Sequence, residues 1–212
     1  MMGGGMMQGM MGGGMMQGMM GGGMMINSNS PFFNVEPLSL AETQETLAAY
    51  LASLNDTNLA VADIMIFDNH AYAQIVEKDS GIGVMEVLVD PTSKAVYPEM
   101  GPNMMWNQKY GMMSGFGRYG MMGMMGNFGP ATGTAEMTVT PAQAVEAAQS
   151  YLDTYFSQAG LTVAGHADPF YGYYTLHVNR DGQTVSMLSV NGYSGQVFPH
   201  TWHGKLLEMG GE

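Results

Sequence analysis

Thr140-Pro141-Ala142-Gln143 has a counterpart far upstream in Ser39-Leu40-Ala41-Glu42. Each begins with a hydroxyl residue followed three positions later by Glu or Gln, the pattern in which side chain and backbone satisfy each other's free N–H groups at a helix start. Two helices are predicted from these points. Downstream of the first, Leu40, Leu47, Leu51 and Leu54 recur at helical spacing, and downstream of the second so do Val145, Ala148, Leu152 and Tyr155. Each helix therefore has one apolar face, and Tyr50-Leu51 falls at the same offset as Tyr151-Leu152.

Outward from each helix come runs of strand character. In the first half these are Leu59 to Phe67, Ala71 to Glu77 and Val84 to Val89, and in the second Leu161 to Ala167, Tyr173 to Asn179 and Thr184 to Val190. Asp79-Ser80-Gly81 separates the second and third runs of the first half, opposite Arg180-Asp181-Gly182, and Asp68-Asn69 marks an earlier turn. Asp90 to Pro98 lies opposite Asn191 to Pro199, each a turn feeding a short last strand. Caps, faces and turns that agree at one offset predict an α+β fold of two repeated modules, each one helix packed on a small antiparallel sheet.

The helix-then-strands order, with the closing Val190-Asn191-Gly192-Tyr193-Ser194-Gly195-Gln196-Val197, resembles the PepSY family over residues 38–98 and 139–199. The first copy departs from that pattern at Ser93-Lys94, where the second has Ser194-Gly195. The resemblance implies a small extracytoplasmic domain with a binding, inhibitory or interaction role, and it supplies no catalytic motif. The expected organisation is a Met/Gly-rich flexible tail (1–30), module 1 (31–98), a Met/Gly-rich linker (99–138) and module 2 (139–212).

The chain has 212 residues, no Cys, and a formal charge of −12 from 18 acidic and 6 basic side chains. The charge disfavours nucleic acid and anionic lipid as partners, and the absence of Cys excludes disulfides and thiolate chemistry. No secretory leader is visible at the start, so export would imply that this is the mature chain. Residues 1–25 are uncharged, but their Gly triplets argue against a membrane span. Neither a His-Glu-x-x-His helix, a Gly-x-Ser-x-Gly elbow nor a phosphate loop is present, so no enzymatic activity is expected.

Of the 26 Met, twelve lie in residues 1–25 and nine more between Met100 and Met125. Thioethers are soft, uncharged donors that suit copper(I) or silver(I) and suit magnesium or calcium poorly. The candidate ligands are Met1, Met2, Met6, Met7, Met10, Met11, Met15 and Met16 in the tail. Met104, Met105, Met112, Met113, Met121, Met122, Met124 and Met125 join them from the linker. Their spacing is similar to the methionine motifs of extracytoplasmic copper transporters and resistance proteins. The competing reading is repeat expansion in a low-complexity chain. Trp106, beside Met104 and Met105, either offers an indole face to a bound cation, as in the Met/His/Trp sites of periplasmic copper and silver chaperones, or packs on the first module. His200 and His203 form an incomplete imidazole pair able to take copper or zinc, while His70, His166 and His177 read singly as structural or solvated.

The function expected from these residues is extracytoplasmic copper(I) binding for storage, delivery or resistance, with a copper transporter or another extracytoplasmic protein as partner. The alternative is a PepSY-type interaction or protease-inhibitory module with no metal role.

Overall fold

A computed structural model describes residues 35–111 and 136–211. The tail and residues 112–135 of the expected linker lie outside them.

Helix α1 spans Leu40–Leu54 and α3 spans Pro141–Tyr155. Both start as their sequences predict. Glu42 N donates to Ser39 Oγ (3.2 Å) while Ser39 N donates to Glu42 Oε2 (3.1 Å), and Thr140 and Gln143 make the same reciprocal pair. Helix α1 ends on Asn55 in the left-handed conformation, which an Asn tolerates. A short helix α2, Pro102–Met105, lies between them.

The strands are β1 Leu59–Phe67, β2 Ala71–Glu77, β3 Gly83–Val89 and β4 Val96–Pro98, then β5 Leu161–Val163, β6 Asp168–Pro169, β7 Tyr173–Arg180, β8 Gln183–Asn191, β9 Val197–Pro199 and β10 Leu206–Gly210. They form two antiparallel sheets, one ordered β10-β1-β2-β3-β4 and the other β5-β7-β8-β9 with β6 against β7. The chain is therefore mixed α+β. Strand β10, for which the sequence offered no expectation, returns from the second half to cover the β1 edge of the first sheet. Strand β5 is shorter than the predicted Leu161–Ala167 run, because the chain leaves the sheet after Ala164 N bonds His177 O.

Alternation sorts each strand onto two faces. Ile64, Ile66, Ala73, Ile75, Val87 and Val89 pack with Leu47 of α1, and Tyr174, Leu176, Val178, Leu188 and Val190 pack with Ala144, Ala148 and Leu152 of α3. Tyr155, expected on that apolar face, is 69% exposed and rests on Tyr151 instead. It is the last residue of α3, beyond Leu152, where the buried face formed by Ala144, Ala148 and Leu152 ends. The opposite faces of the two sheets meet, giving a helix–sheet–sheet–helix stack. Tyr173 and Thr175 of the second sheet bond Glu86 of the first, and Met187 joins Met65, Phe67 and Tyr72 in a third apolar cluster. Both sheets are thus buried on both sides, which is why burial along β2 and β7 is nearly continuous.

Local geometry recurs between the halves. Gly81 and Gly182 both take positive φ in their hairpins, as do Lys94 and Gly195 in the closing turns. Residues 99–111 are packed against the first sheet, where Asn103 Nδ2 donates to the carbonyls of Glu86 and Glu99 (both 3.2 Å) and Asn107 Nδ2 to that of Val84 (2.7 Å). Among the described residues no helix is long and apolar enough to cross a membrane.

The two sheets touch closely where Gly83 bridges Phe170, whose ring occupies the space a Cβ would need and is itself stacked on Tyr173 (4.7 Å). Gly83→Ala is expected to lower stability by about 1–3 kcal/mol through overpacking. A denaturant midpoint equal to that of the parent would contradict this inter-sheet contact.

Candidate metal centre

The closing strands of the two halves end alike, with Val96-Tyr97-Pro98 followed by Glu99 and Val197-Phe198-Pro199 followed by His200. Glu99 N donates to Glu86 O (2.8 Å), and His200 N donates to Met187 O (3.1 Å). The same hydrogen bond in each half thus fixes a potential ligand at the seam between the sheets. Three residues further on, a turn brings His203 back to the same place.

Glu99, His200 and His203 each offer one ligand atom, and these atoms lie within 4.8 Å of one another. Glu99 Oε1 is 3.0 Å from His203 Nε2 and 3.6 Å from His200 Nδ1. Donor atoms on a tetrahedral ion with bonds of about 2.0–2.1 Å sit roughly 3.3–3.4 Å apart, between those two values. The side chains are almost wholly buried, at 0% exposure for Glu99 and His200 and 1% for His203. Yet Glu99 Oε2, His200 Nδ1 and His203 Nε2 have no hydrogen-bond partner. The 3.0 Å approach is close in distance but lacks hydrogen-bond direction. Buried polar atoms are nearly always paired, so three residues whose ligand atoms gather this closely, each with an unpaired buried atom, form the pattern expected of ligands around a cation.

The remaining atoms of these groups are held. Trp202 Nε1 donates to Glu99 Oε1 (2.9 Å), and the Trp202 ring stacks on His200 (4.8 Å). His203 stacks on Phe67 (4.4 Å), and its Nδ1 is 2.7 Å from His70 Nε2. His200 Nε2 bonds Ser189 Oγ (2.9 Å), which bonds Thr175 Oγ1 (3.2 Å), which donates to Glu86 Oε1 (2.8 Å). Glu86 also accepts from Tyr72 and Tyr173, each at 2.8 Å. When Glu86 is ionised every hydroxyl in this chain points toward it, so His200 Nε2 carries the proton and Nδ1 is left as a lone pair facing Glu99. Metal-binding imidazoles characteristically have their second nitrogen held in this way.

Burial keeps the imidazoles neutral. His70 and His203 are lowered to about 3 by desolvation, with the His203 charge adding to the effect on His70, and His200 is pushed well below its ordinary value for the same reasons. Neutral imidazole is the ligating form. Burial raises Glu99 to about 8 against the opposing Trp202 hydrogen bond, and it raises Glu86 to about 8 with help from the Glu99 charge.

No protein-family model, curated protein or solved structure matches the chain.

Of the ligands expected from sequence, His200 and His203 are brought together and completed by Glu99, which sequence reasoning missed. His70, read singly as structural or solvated, lies against His203. Met104 is half-buried and Met105 is 52% exposed on α2. Trp106 stands edge-on to Tyr173 (6.5 Å) and Phe198 (6.0 Å), and Trp202 is the indole that touches the centre. Met1, Met2, Met6, Met7, Met10, Met11, Met15, Met16, Met112, Met113, Met121, Met122, Met124 and Met125 lie outside the described residues. The donor set of the centre is two imidazoles and a carboxylate, which suits copper(II) or zinc(II) better than copper(I).

These shifts give the metal-free protein a stability maximum near pH 6.5. Below it, the unfolded chain protonates His70, His200 and His203 at their ordinary 6.5 while the fold keeps them neutral, so stability rises with pH up to that value. Above it, the fold retains protons on Glu86 and Glu99 that the unfolded chain has lost at 4.5, so stability falls toward about pH 8. Thermal melts of metal-free protein should show both limbs, and Glu99→Gln should flatten the alkaline one. Stability rising steadily from pH 6.5 to 8 would contradict the buried carboxyl pair.

Proposed function

We propose that this protein binds copper outside the cytoplasm for storage, delivery or resistance, as two copies of one PepSY-like module whose seam carries an ion. The observation that carries the reading is the convergence of Glu99, His200 and His203, whose ligand atoms lie within 4.8 Å of one another, while each residue keeps a buried atom without a hydrogen bond, Glu99 Oε2, His200 Nδ1 and His203 Nε2. Three protein donors leave a further coordination position, and the Irving–Williams order favours copper(II) over zinc(II) for nitrogen and oxygen ligands. The methionine-rich segments supply the complementary chemistry, soft thioethers that prefer copper(I). The role is binding, with no reaction assigned to the centre. A transporter or another extracytoplasmic protein is the partner such a carrier would need.

Duplication accounts for the centre's position. The paired caps, the matching left-handed turn residues and the recurring Glu99 and His200 backbone bonds are what two copies of one module would retain. Their last strands end at one seam, where each contributes a ligand.

The experiment is a pair of titrations against competing chelators. Copper(II) should bind the intact chain tightly, in a step that quenches Trp202 in a Trp106→Phe background. Glu99→Gln, close in shape, should weaken that binding by about 10- to 100-fold or more, since even partners outside the ligand set contribute on that scale. Deleting residues 1–25 should leave copper(II) binding intact and lower copper(I) capacity. Copper(II) affinity unchanged in Glu99→Gln would remove the centre from the reading, and unchanged copper(I) capacity in the truncated chain would remove the thioethers of the tail.

A further inference from the structure

A second group of potential ligands lies elsewhere along the seam. Asp63 comes from β1 of the first sheet, Asp168 from β6 and His177 from β7 of the second, and one ligand atom from each lies within 4.8 Å of the others. His177 is 7% exposed, and its Nε2 is buried without a hydrogen-bond partner. His166 stands at the rim with Nε2 3.9 Å from Asp168 Oδ1, its ring edge-on to that of His177. The polar contact from the first sheet is long, Gln74 Nε2 to Asp168 Oδ2 at 3.5 Å. Among the described residues neither aspartate is paired with a Lys or Arg, so two carboxylates approach each other across a sheet interface with no cationic side chain between them.

Two like charges held together cost energy unless a cation joins them, and a buried imidazole nitrogen with nothing to bond adds to that cost. One ion relieves both. We infer that Asp63, Asp168 and His177 form a second metal site, distinct from the Glu99 centre, in which a divalent ion of the zinc class clamps the first sheet to the second. Two carboxylate oxygens and one imidazole nitrogen are hard-to-borderline donors, suited to zinc(II) and poorly suited to copper(I). His166 is placed to complete the shell from the solvent side. Because Asp63 is the contribution of the first sheet, the ion ties strand β1 to β6 and β7 of the second.

The test uses the full chain carrying Glu99→Gln and His203→Gln, so that the other centre cannot answer for this one. Zinc(II) titration by calorimetry should read one site and raise the melting temperature. Adding Asp63→Asn, which preserves shape and removes one like charge, should abolish both effects while leaving metal-free melting unchanged or higher. His177→Gln should abolish them as well. If zinc binds the Asp63→Asn chain as tightly as its background, the bridging site is wrong. Absence of zinc binding in the background chain itself would overturn it equally.

Discussion

Two β-sheets pack face to face here through apolar side chains interspersed with a set of buried polar ones, and everything else in the molecule is arranged around that constraint. An interface of hydroxyls, carboxyls and imidazoles must satisfy its hydrogen bonds internally, because an unpaired buried group costs on the order of 1–3 kcal/mol. Glu86 does most of this, accepting from Tyr72 on its own sheet and from Tyr173 and Thr175 on the other. A second tie, Tyr171 Oη to Glu77 Oε2 at 2.8 Å, joins the sheets nearer one edge, and Lys109 Nζ bonds both partners from the 99–111 segment. The helices are the outer walls of this stack, burying the apolar faces that the sheets do not present to each other.

Where that internal pairing stops, the seam becomes chemically interesting. Beyond the end of the Glu86–Thr175–Ser189 chain, His200 Nδ1 has no hydrogen bond, and Glu99 and His203, each with an unpaired atom of its own, lie beside it. The hydrogen-bond chain and the ligand triad are thus one structure. Hydrogen bonding on one side fixes the imidazole's orientation and, when Glu86 is ionised, its tautomer, and the other side is left open to a cation. Aromatic packing from Phe67 and Trp202 holds the rings, so the geometry exists before any ion arrives.

Helix starts, apolar faces, the hairpin turns and most strand limits were readable because each signal is local, as with Ser39 and Glu42 or Asp181 and Gly182. Of the centre only the His200–His203 pair was readable, because Glu99 is remote in the chain, 103 positions from the Trp202 that bonds it, and His70 lies 133 positions from His203. A usable trace was nevertheless present. Gln74, Glu86, Thr175, His177 and Ser189 interrupt otherwise apolar runs, and strand alternation places them on the face opposite the helices. The equivalent positions of Glu99 and His200 after their Pro residues were also visible in the aligned closing strands. Strand β10 carried no such trace, because its place beside β1 depends on the path of the whole second half.

The central claim is that one ion is held at the seam by two imidazoles and a carboxylate. Pulsed electron paramagnetic resonance of the intact chain loaded with one equivalent of copper(II) tests it most directly, since the couplings of the remote ring nitrogens count the imidazoles bound to the metal. Two coordinated imidazoles, lost together in the double variant His200→Gln, His203→Gln, is the predicted result. A spectrum without imidazole coupling, or one unchanged by that double substitution, would contradict the account.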